Sequence, residues 1–329
     1  MTAGPASDRP TEPGVRRVAI LTHTGRAEAV KLLDRLVAGL SSAGIVSMVP
    51  PDDLALLRSG APDTRAEELT GVESRGSADG DMGVCHERPP GDFELLVVLG
   101  GDGTILRGAE WVVDTDTPLL GVNLGHVGFL AEAESSEIDL IVEHVVHRSY
   151  AVEERLTIDV TVYADEHPVW SSFAINEVSI EKAARERMIE ILVEIDGRPL
   201  SRWACDGLIV ATPTGSTAYA FSAGGPVIWP GVEALLVVPL SAHALFARPL
   251  VLSPDSHLVI EVLHQTPTEG VVWCDGRRST PLCRGMEVEV VQGRRRLRLA
   301  RLSQAPFTDR LVRKFGLRVE GWRGRVPGT

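Results

Sequence analysis

A chain of 329 residues, 44% hydrophobic and 24% charged with a formal net charge of -12, has the composition of an ordinary soluble protein of about two domains. The negative balance argues against general binding to nucleic acid or anionic membranes, which call for a basic surface. No run approaches 18 uncharged apolar residues, so no membrane-spanning helix is expected.

Residues 1–14 are rich in Pro and Gly and are expected to be disordered. Val18 to Leu21 reads as a strand, Ala27 to Leu40 as an amphipathic helix and Ile45 to Val49 as a second strand, a βαβ opening. Residues 50–91 break the pattern: Pro, Gly, Asp, Glu and Ser dominate, with a short helical stretch near Asp53–Leu57, and a mobile insertion is expected. The apolar run Phe93 to Leu99 has the character of a buried parallel strand. A helix is predicted from about Thr104 to Val113, a strand over Pro118–Val122 and a helix over Glu137–His147. From Ala151 the period changes, and Leu156 to Tyr163 alternates apolar and polar as a half-buried antiparallel strand does. Strand-like runs recur at 169–180, 188–196, 206–212, 257–263, 270–274, 287–291 and 296–302. The second half is therefore mainly β, with one short helix near Ser216. A last amphipathic helix, roughly Thr308 to Phe315, carries basic residues and need not belong to the β-rich part. Cys85, Cys205, Cys274 and Cys283 are widely spaced with no CxxC pair, and the start has no apolar signal core; free thiols in a cytoplasmic protein are expected.

Three segments point to chemistry. Gly100-Gly101-Asp102-Gly103-Thr104 follows the apolar strand, where open α/β sheets bind ligands. Its glycines let backbone N–H groups approach phosphates, the Thr104 hydroxyl suits a helix cap, and the Asp102 carboxylate is left to accept a proton or meet a metal ion. It lacks the Lys-Ser/Thr ending of a P-loop. The second segment, Asp206 to Tyr219, is an apolar strand entering a Pro-Thr-Gly turn. The Ser216 and Thr217 hydroxyls and the orphan N–H groups of a helix start there suit a phosphate, a ribose or an adenine edge; a well-capped turn fits equally. The third is Asn176-Glu177, neighbours that cannot both face one dry core. Spacing alone favours a solvated strand edge, although an Asn can pair with adenine and a carboxylate with ribose hydroxyls. Gly125 through Leu130 offers a close backbone approach with Phe129 as a ring wall or as core. Asp275-Gly276 reads as a hairpin turn and Arg294-Arg295-Arg296 as a solvated one.

In this order Gly100–Thr104, Gly125–Leu130, Asn176-Glu177 and Asp206 through Gly225-Pro226 resemble the NAD kinase family, which phosphorylates the 2′-hydroxyl of the adenosine ribose of NAD to give NADP. The likeness spans about residues 16–316 except 50–91, and Ala305 to Leu311 resembles the actinobacterial, ATP- or polyphosphate-dependent branch. The resemblance implies a Rossmann-like α/β domain over 15–149, a β-sandwich-like, NAD-binding domain over 150–303, and a helix and tail over 304–329 that packs back on the first domain. It makes Asp102 the catalytic base and Gly100, Gly101, Gly103 and Thr104 the loop for the phosphate donor. Gly103, Phe129, Asn176, Glu177, Thr217, Ala218, Tyr219 and Ser222 would bind the adenosine part of NAD, and Asp206 would sit by the nicotinamide. It implies Mg²⁺ or another divalent cation, held mainly by donor phosphates, and a homodimer or homotetramer whose neighbouring subunits complete the dinucleotide site. Ala204 departs from relatives with a bulky basic residue there, which bears on acceptance of NADH. The competing readings are a lipid or sphingoid-base kinase sharing the glycine motif and a catalytically silent NAD-binding regulator.

Overall fold

The structure, a computed structural model, describes residues 14–22, 27–51, 54–55, 66–68, 92–124, 128–134, 137–302 and 306–318. Two parts emerge, each with its own core.

The first is a mostly parallel sheet. Its strands are β1 (Arg17–Thr22), β2 (Val46–Val49), β3 (Ala66–Glu68), β4 (Leu95–Leu99), β5 (Leu119–Asn123) and the short β6 (Ala133–Glu134). It is completed by β7 (Ala151–Arg155) and, from near the end of the chain, β20 (Leu297–Arg301). The order is β3-β2-β1-β4-β5-β20-β7, with β6 beside β5. Burial on both faces explains the unbroken apolar runs: every residue of β4 and β5 is buried. Helices α1 (Ala27–Ser42) and α3 (Ile138–His147) cover one face through Leu33, Leu36, Leu40, Ile141 and Val145. The other face is covered by α2 (Asp102–Val112) through Ile105, Leu106, Ala109 and Val112, and by Phe173 and Ile175 from the second part. The strand order reverses between β1 and β4, so the crevice at their C-terminal ends is the ligand position of an open α/β sheet.

The second part is a sandwich of two six-stranded antiparallel sheets. One has the order β12-β11-β16-β19-β8-β9, built from β8 (Ile158–Ala164), β9 (His167–Ala174), β11 (Ile189–Ile195), β12 (Arg198–Cys205), β16 (Leu258–Val262) and β19 (Glu287–Gln292). The other has the order β15-β14-β13-β10-β17-β18, built from β10 (Glu177–Lys182), β13 (Gly207–Ala211), β14 (Leu235–Leu240), β15 (Leu250–Leu252), β17 (Gly270–Cys274) and β18 (Arg278–Leu282). Alternate residues such as Val160, Ile191, Leu208, Val210, Ile260 and Val288 fill the space between them. The outer face of β13, Ile209 and Ala211, packs on Ala220 and Ile228. A single-turn helix α4 (Tyr219–Ser222) and a final helix α5 (Phe307–Phe315) complete the elements.

Several expectations are corrected. Ala151–Arg155 and Leu297–Arg301, assigned to the second domain by sequence, pair with each other and complete the first sheet. Within 50–91, read as a mobile insertion, Ala66–Glu68 adds a parallel edge strand; of the Asp53–Leu57 stretch Leu54 and Ala55 are described and are helical, while most of the rest of 50–91 and residues 1–13 lie outside the described residues. The run 169–180 breaks at Ile175-Asn176, and seven strands were missed: β3, β6, β7, β12, β14, β15 and β18. Arg294–Arg296 is the solvated turn expected, with Arg294 and Arg295 exposed, and from it Arg295 reaches Asp114 and Arg296 reaches Glu233. Cys205, Cys274 and Cys283 are free thiols, and burial pushes the Cys205 and Cys274 thiols up to about 12. No helix among the described residues is long and apolar enough to cross a membrane.

Candidate functional site

Asp102 opens helix α2 directly after β4. The helix starts two residues earlier than its sequence suggests, with Gly101 at the N-cap and no side-chain cap. Thr104 therefore lies inside the helix and does not cap it; its N–H bonds the Gly101 carbonyl instead. The first N–H groups of a helix have no partner within it, so those of Asp102 and Gly103 stay open to an anion. Gly101 and Gly103 are exposed, and Asp102 and Thr104 are half-buried.

The Asp102 carboxylate is oriented by the loop after β5. The Phe129 N–H donates to Oδ2 at 3.1 Å and the Leu130 N–H to Oδ1 at 3.2 Å. Gly128 makes this approach possible, since a Cβ there would lie 2.2 Å from Oδ1. Residues 125–127 of that motif lie outside the described residues. Phe129 is covered by helix α5: its ring meets those of Phe307 and Phe315 at 5.9 and 5.8 Å, and Phe315 meets Phe221 at 4.6 Å. The Arg310 guanidinium donates to the Phe129 and Ala131 carbonyls and pairs with Glu132. Helix α5 thus packs on the 128–130 loop of the first domain while touching the α4 segment of the second.

Asn176 and Glu177 are not a solvated edge. Each is only 8% exposed, because the β17–β18 hairpin folds over them. Asp275 and Gly276 both have positive φ at its tip, as the sequence suggests for a tight turn. The Asp275 carboxylate turns inward and accepts the N–H groups of Ile175, Asn176 and Glu177. Arg278 compensates it at 2.8 Å, lies 4.0 Å over the Phe173 ring and reaches Glu110 of α2 at 3.2 Å. The strand that bears Asn176-Glu177 and the helix that bears Asp102 are therefore tied by one ion-pair chain.

Glu177 receives the Tyr219 N–H, and its Oε2 is buried without a partner. Burial, with the Asp275 charge beside it, pushes the Glu177 carboxyl up to about 8. A carboxylic acid held this way, with a free oxygen, is suited to a ligand hydroxyl or amine. Behind it the 212–217 turn approaches closely: a Cβ on Gly215 would lie 1.9 Å from the Asn176 carbonyl oxygen.

That turn differs from the sequence expectation of orphan donors. The N–H groups of Gly215, Ser216 and Ala218 go to Thr212 Oγ1, the Thr212 carbonyl and the Gly215 carbonyl, and that of Tyr219 to Glu177. Ser216 is buried, donating to the Pro213 carbonyl and accepting the Ile228 N–H, so its hydroxyl is structural. Thr217 and Ala218 are half-buried, and Tyr219 and Ser222 are exposed. Asp206 stands apart, at the other end of the β10–β13 pair, roughly 16 Å from Glu177 by strand rise. Lys182 binds it at 2.5 Å and holds its carboxyl below the usual range.

Comparisons with known proteins fit this arrangement. The family model for the ATP-NAD kinase N-terminal domain matches residues 18–150, and that for the ATP-NAD kinase C-terminal domain matches 175–302. The chain belongs to the NAD kinase family. NAD kinase 2 of Streptomyces coelicolor is 52% identical over 314 residues, 95% of this chain and 99% of that one. NAD kinase of Thermobifida fusca is 53% identical over 316 residues, 94% of this chain and 92% of that one. Among solved structures, yeast NADH kinase complexed with NADH aligns with a TM-score of 0.79 at 22% identity, covering 95% of this chain and 94% of that one. An Archaeoglobus fulgidus NAD kinase in complex with ATP aligns at 0.64 and 24% identity, covering 91% and 97%. These two show that the α/β-plus-sandwich fold is that of NAD kinases.

Sequence reasoning missed what joins the pieces of this family member's site: Asp275 as the buried anchor of Asn176-Glu177, Arg278 and Glu110 as the link to α2, and Arg310 over the Phe129 loop. The Asp275-Gly276 dipeptide was the one local signal.

Proposed function

We propose that this chain phosphorylates the 2′-hydroxyl of the adenosine ribose of NAD, with ATP as donor, releasing NADP and ADP. Relatives named NAD kinase at 52% and 53% identity over almost the whole chain support this acceptor. The observation that carries the chemistry is the Asp102 carboxylate, half-buried at an uncapped helix N-terminus beside the sheet's switch point, with both oxygens held by backbone amides. Each oxygen keeps a lone pair, so the carboxylate can take the proton of a sugar hydroxyl without moving.

Asp102 accepts the 2′-hydroxyl proton as the ribose oxygen bonds to the γ-phosphorus; the bond from that phosphorus to the β–γ bridging oxygen breaks, and ADP departs. A positioned base contributes roughly 10²–10⁴-fold. The open amides of Asp102 and Gly103, with Gly100, Gly101 and Thr104 around them, cradle the donor phosphates. Asn176 and Glu177 hold the adenosine ribose and base, with Phe129, Thr217, Ala218, Tyr219 and Ser222 about them, and Asp206 serves the nicotinamide side. Among the described residues no three His, Cys, Asp or Glu side chains converge. Mg²⁺ or another divalent ion, held mainly by the donor phosphates beside the Asp102 carboxylate, would neutralise their charge. Leu245, Phe246 and Val251 are exposed, and His243, two residues before Leu245, pairs with Ala204, two residues before Asp206; this supports a homo-oligomer whose neighbour covers the Asp206 end.

The test is NADP formation from NAD, ATP and Mg²⁺, read through an NADP-specific dehydrogenase, with Asp102→Asn alongside. Wild-type activity that collapses in a folded mutant supports both reaction and base; wild-type-like turnover in the mutant removes Asp102 from that role. Polyphosphate in place of ATP tests the second donor, and NADH in place of NAD tests the consequence of Ala204. A silent NAD binder would give no Mg²⁺-dependent ADP release on addition of NAD, and a lipid kinase would release ADP with a sphingoid base or diacylglycerol instead.

A further inference from the structure

Away from Asp102, a cavity of about 530 Å³ opens between the β7–β20 strand pair, helix α5 and the loop at Trp229, within the size range of small-molecule sites. Among the described residues its walls include Arg155, Arg301 and Arg310 with Glu153 on one side, and Trp229 and Phe307 on the other. The charges do not balance. Glu153 is shared by Arg155 at 3.0 Å and Arg301 at 2.6 Å, and Glu132 is shared by Arg301 at 2.8 Å and Arg310. Three guanidinium groups thus face two carboxylates. Arg155 bears the surplus: its side chain is only 8% exposed, and its Nε–H has no hydrogen-bond partner. Burial and the neighbouring Arg301 charge push it down to about 10. A buried positive charge with too few partners is costly, and an anion in the cavity would relieve it.

We propose that this cavity is a binding site for an organic phosphate monoester, its phosphate against Arg155, Arg301 and Arg310 and its apolar or aromatic body against Trp229 and Phe307. Neither Asp102 nor the Asn176-Glu177 segment lines it. Arg310 gives the site a route to the catalytic loop, because the same guanidinium bonds the Phe129 and Ala131 carbonyls, and the Phe129 and Leu130 amides hold Asp102. Occupancy would tie α5 to the β7–β20 pair and steady that loop. The regulatory consequence rests on the kinase reading; the binding does not.

Isothermal titration of the full-length protein, free of substrates, with phenyl phosphate, inorganic phosphate and phenol tests the proposal. Phenyl phosphate is expected to bind saturably, more tightly than inorganic phosphate, and phenol not at all. Arg155→Gln is expected to weaken both phosphates roughly 10- to 100-fold, the worth of one charge-assisted hydrogen bond. Trp229→Ala, an exposed position, is expected to weaken phenyl phosphate alone, and it decides the matter if Arg155→Gln fails to fold. No binding by the wild type, or affinities unchanged in the folded variants, would overturn the proposal. Loss of phosphate binding with NAD titration unaltered would separate this site from the catalytic one.

Discussion

Replacing Gly128 by Ala probes the catalytic reading with a single methyl group. The backbone at this position does not require glycine, so the substitution carries no conformational strain. The new Cβ would stand 2.2 Å from Asp102 Oδ1 and 2.9 Å from its Cγ, against an ordinary contact of at least 3.4 Å. Either the carboxylate or the 128–130 loop must withdraw by more than about 1 Å, and the amide bonds to Oδ1 and Oδ2 go with it. Misplacement of a reacting group on that scale costs on the order of 10²-fold in rate. Steady-state NADP formation should therefore show kcat down about a hundredfold, with KM for NAD changed far less. The melting temperature should hold, since Gly→Ala also restricts the unfolded chain. In an Asp102→Asn background the same methyl should cost little more, because the group it displaces is already gone. A Gly128→Ala enzyme with kcat within threefold of wild type would refute the carboxylate geometry as the source of catalysis.

Other expectations follow from the buried network. The Glu177 carboxyl, pushed up to about 8 by burial when folded, has an ordinary value of 4.5 when unfolded, so the folded state binds the extra proton between those values and loses stability as pH rises through them. Glu177→Gln should raise the melting temperature of the ligand-free protein at pH 8 and lose that advantage towards pH 5; an equal effect at both would count against the buried carboxyl. Arg278→Met strips the cation from Asp275, whose side chain is 1% exposed, while Glu110 keeps Arg277 at 2.9 Å, and should cost roughly 3–5 kcal/mol in urea unfolding. Ser216→Ala should cost about 1–3 kcal/mol of stability while KM for NAD stays within twofold. A large KM change with unaltered stability would instead make Ser216 a ligand contact.

What the sequence reveals is local. The β4–Gly100–Asp102–α2 unit is readable because a strand buried on both faces runs continuously apolar and a glycine pair breaks it. The β13-to-turn segment is readable for the same reason. Asn176 and Glu177 misled because their burial depends on Asp275, 99 residues further on. Phe129 leaves core and ligand wall undecided in sequence because its cover, Phe307 and Phe315, comes from the end of the chain. The missed strand Arg198–Cys205 is largely exposed along its first half and lies at a sheet edge, so it lacks clean alternation. The Asp196-Gly197 dipeptide before it, with positive φ at both residues, was the available signal of a hairpin.

The pairing of β7 with β20 gives the polypeptide an order of assembly. Leu297 lies opposite Arg155, so the whole sandwich is an excursion that leaves and re-enters the first sheet at adjacent points. A ribosome delivers the sandwich strands before the strand that finishes the first sheet, and helix α5, which seals the Phe129 loop, later still. The sandwich can fold while the first sheet still waits for β20 to join β5 to β7. A chain stopped short of residue 307 would carry Asp102 and its glycines yet lack the cover over Phe129. Closure over the Phe129 loop is thereby deferred until helix α5 has been made.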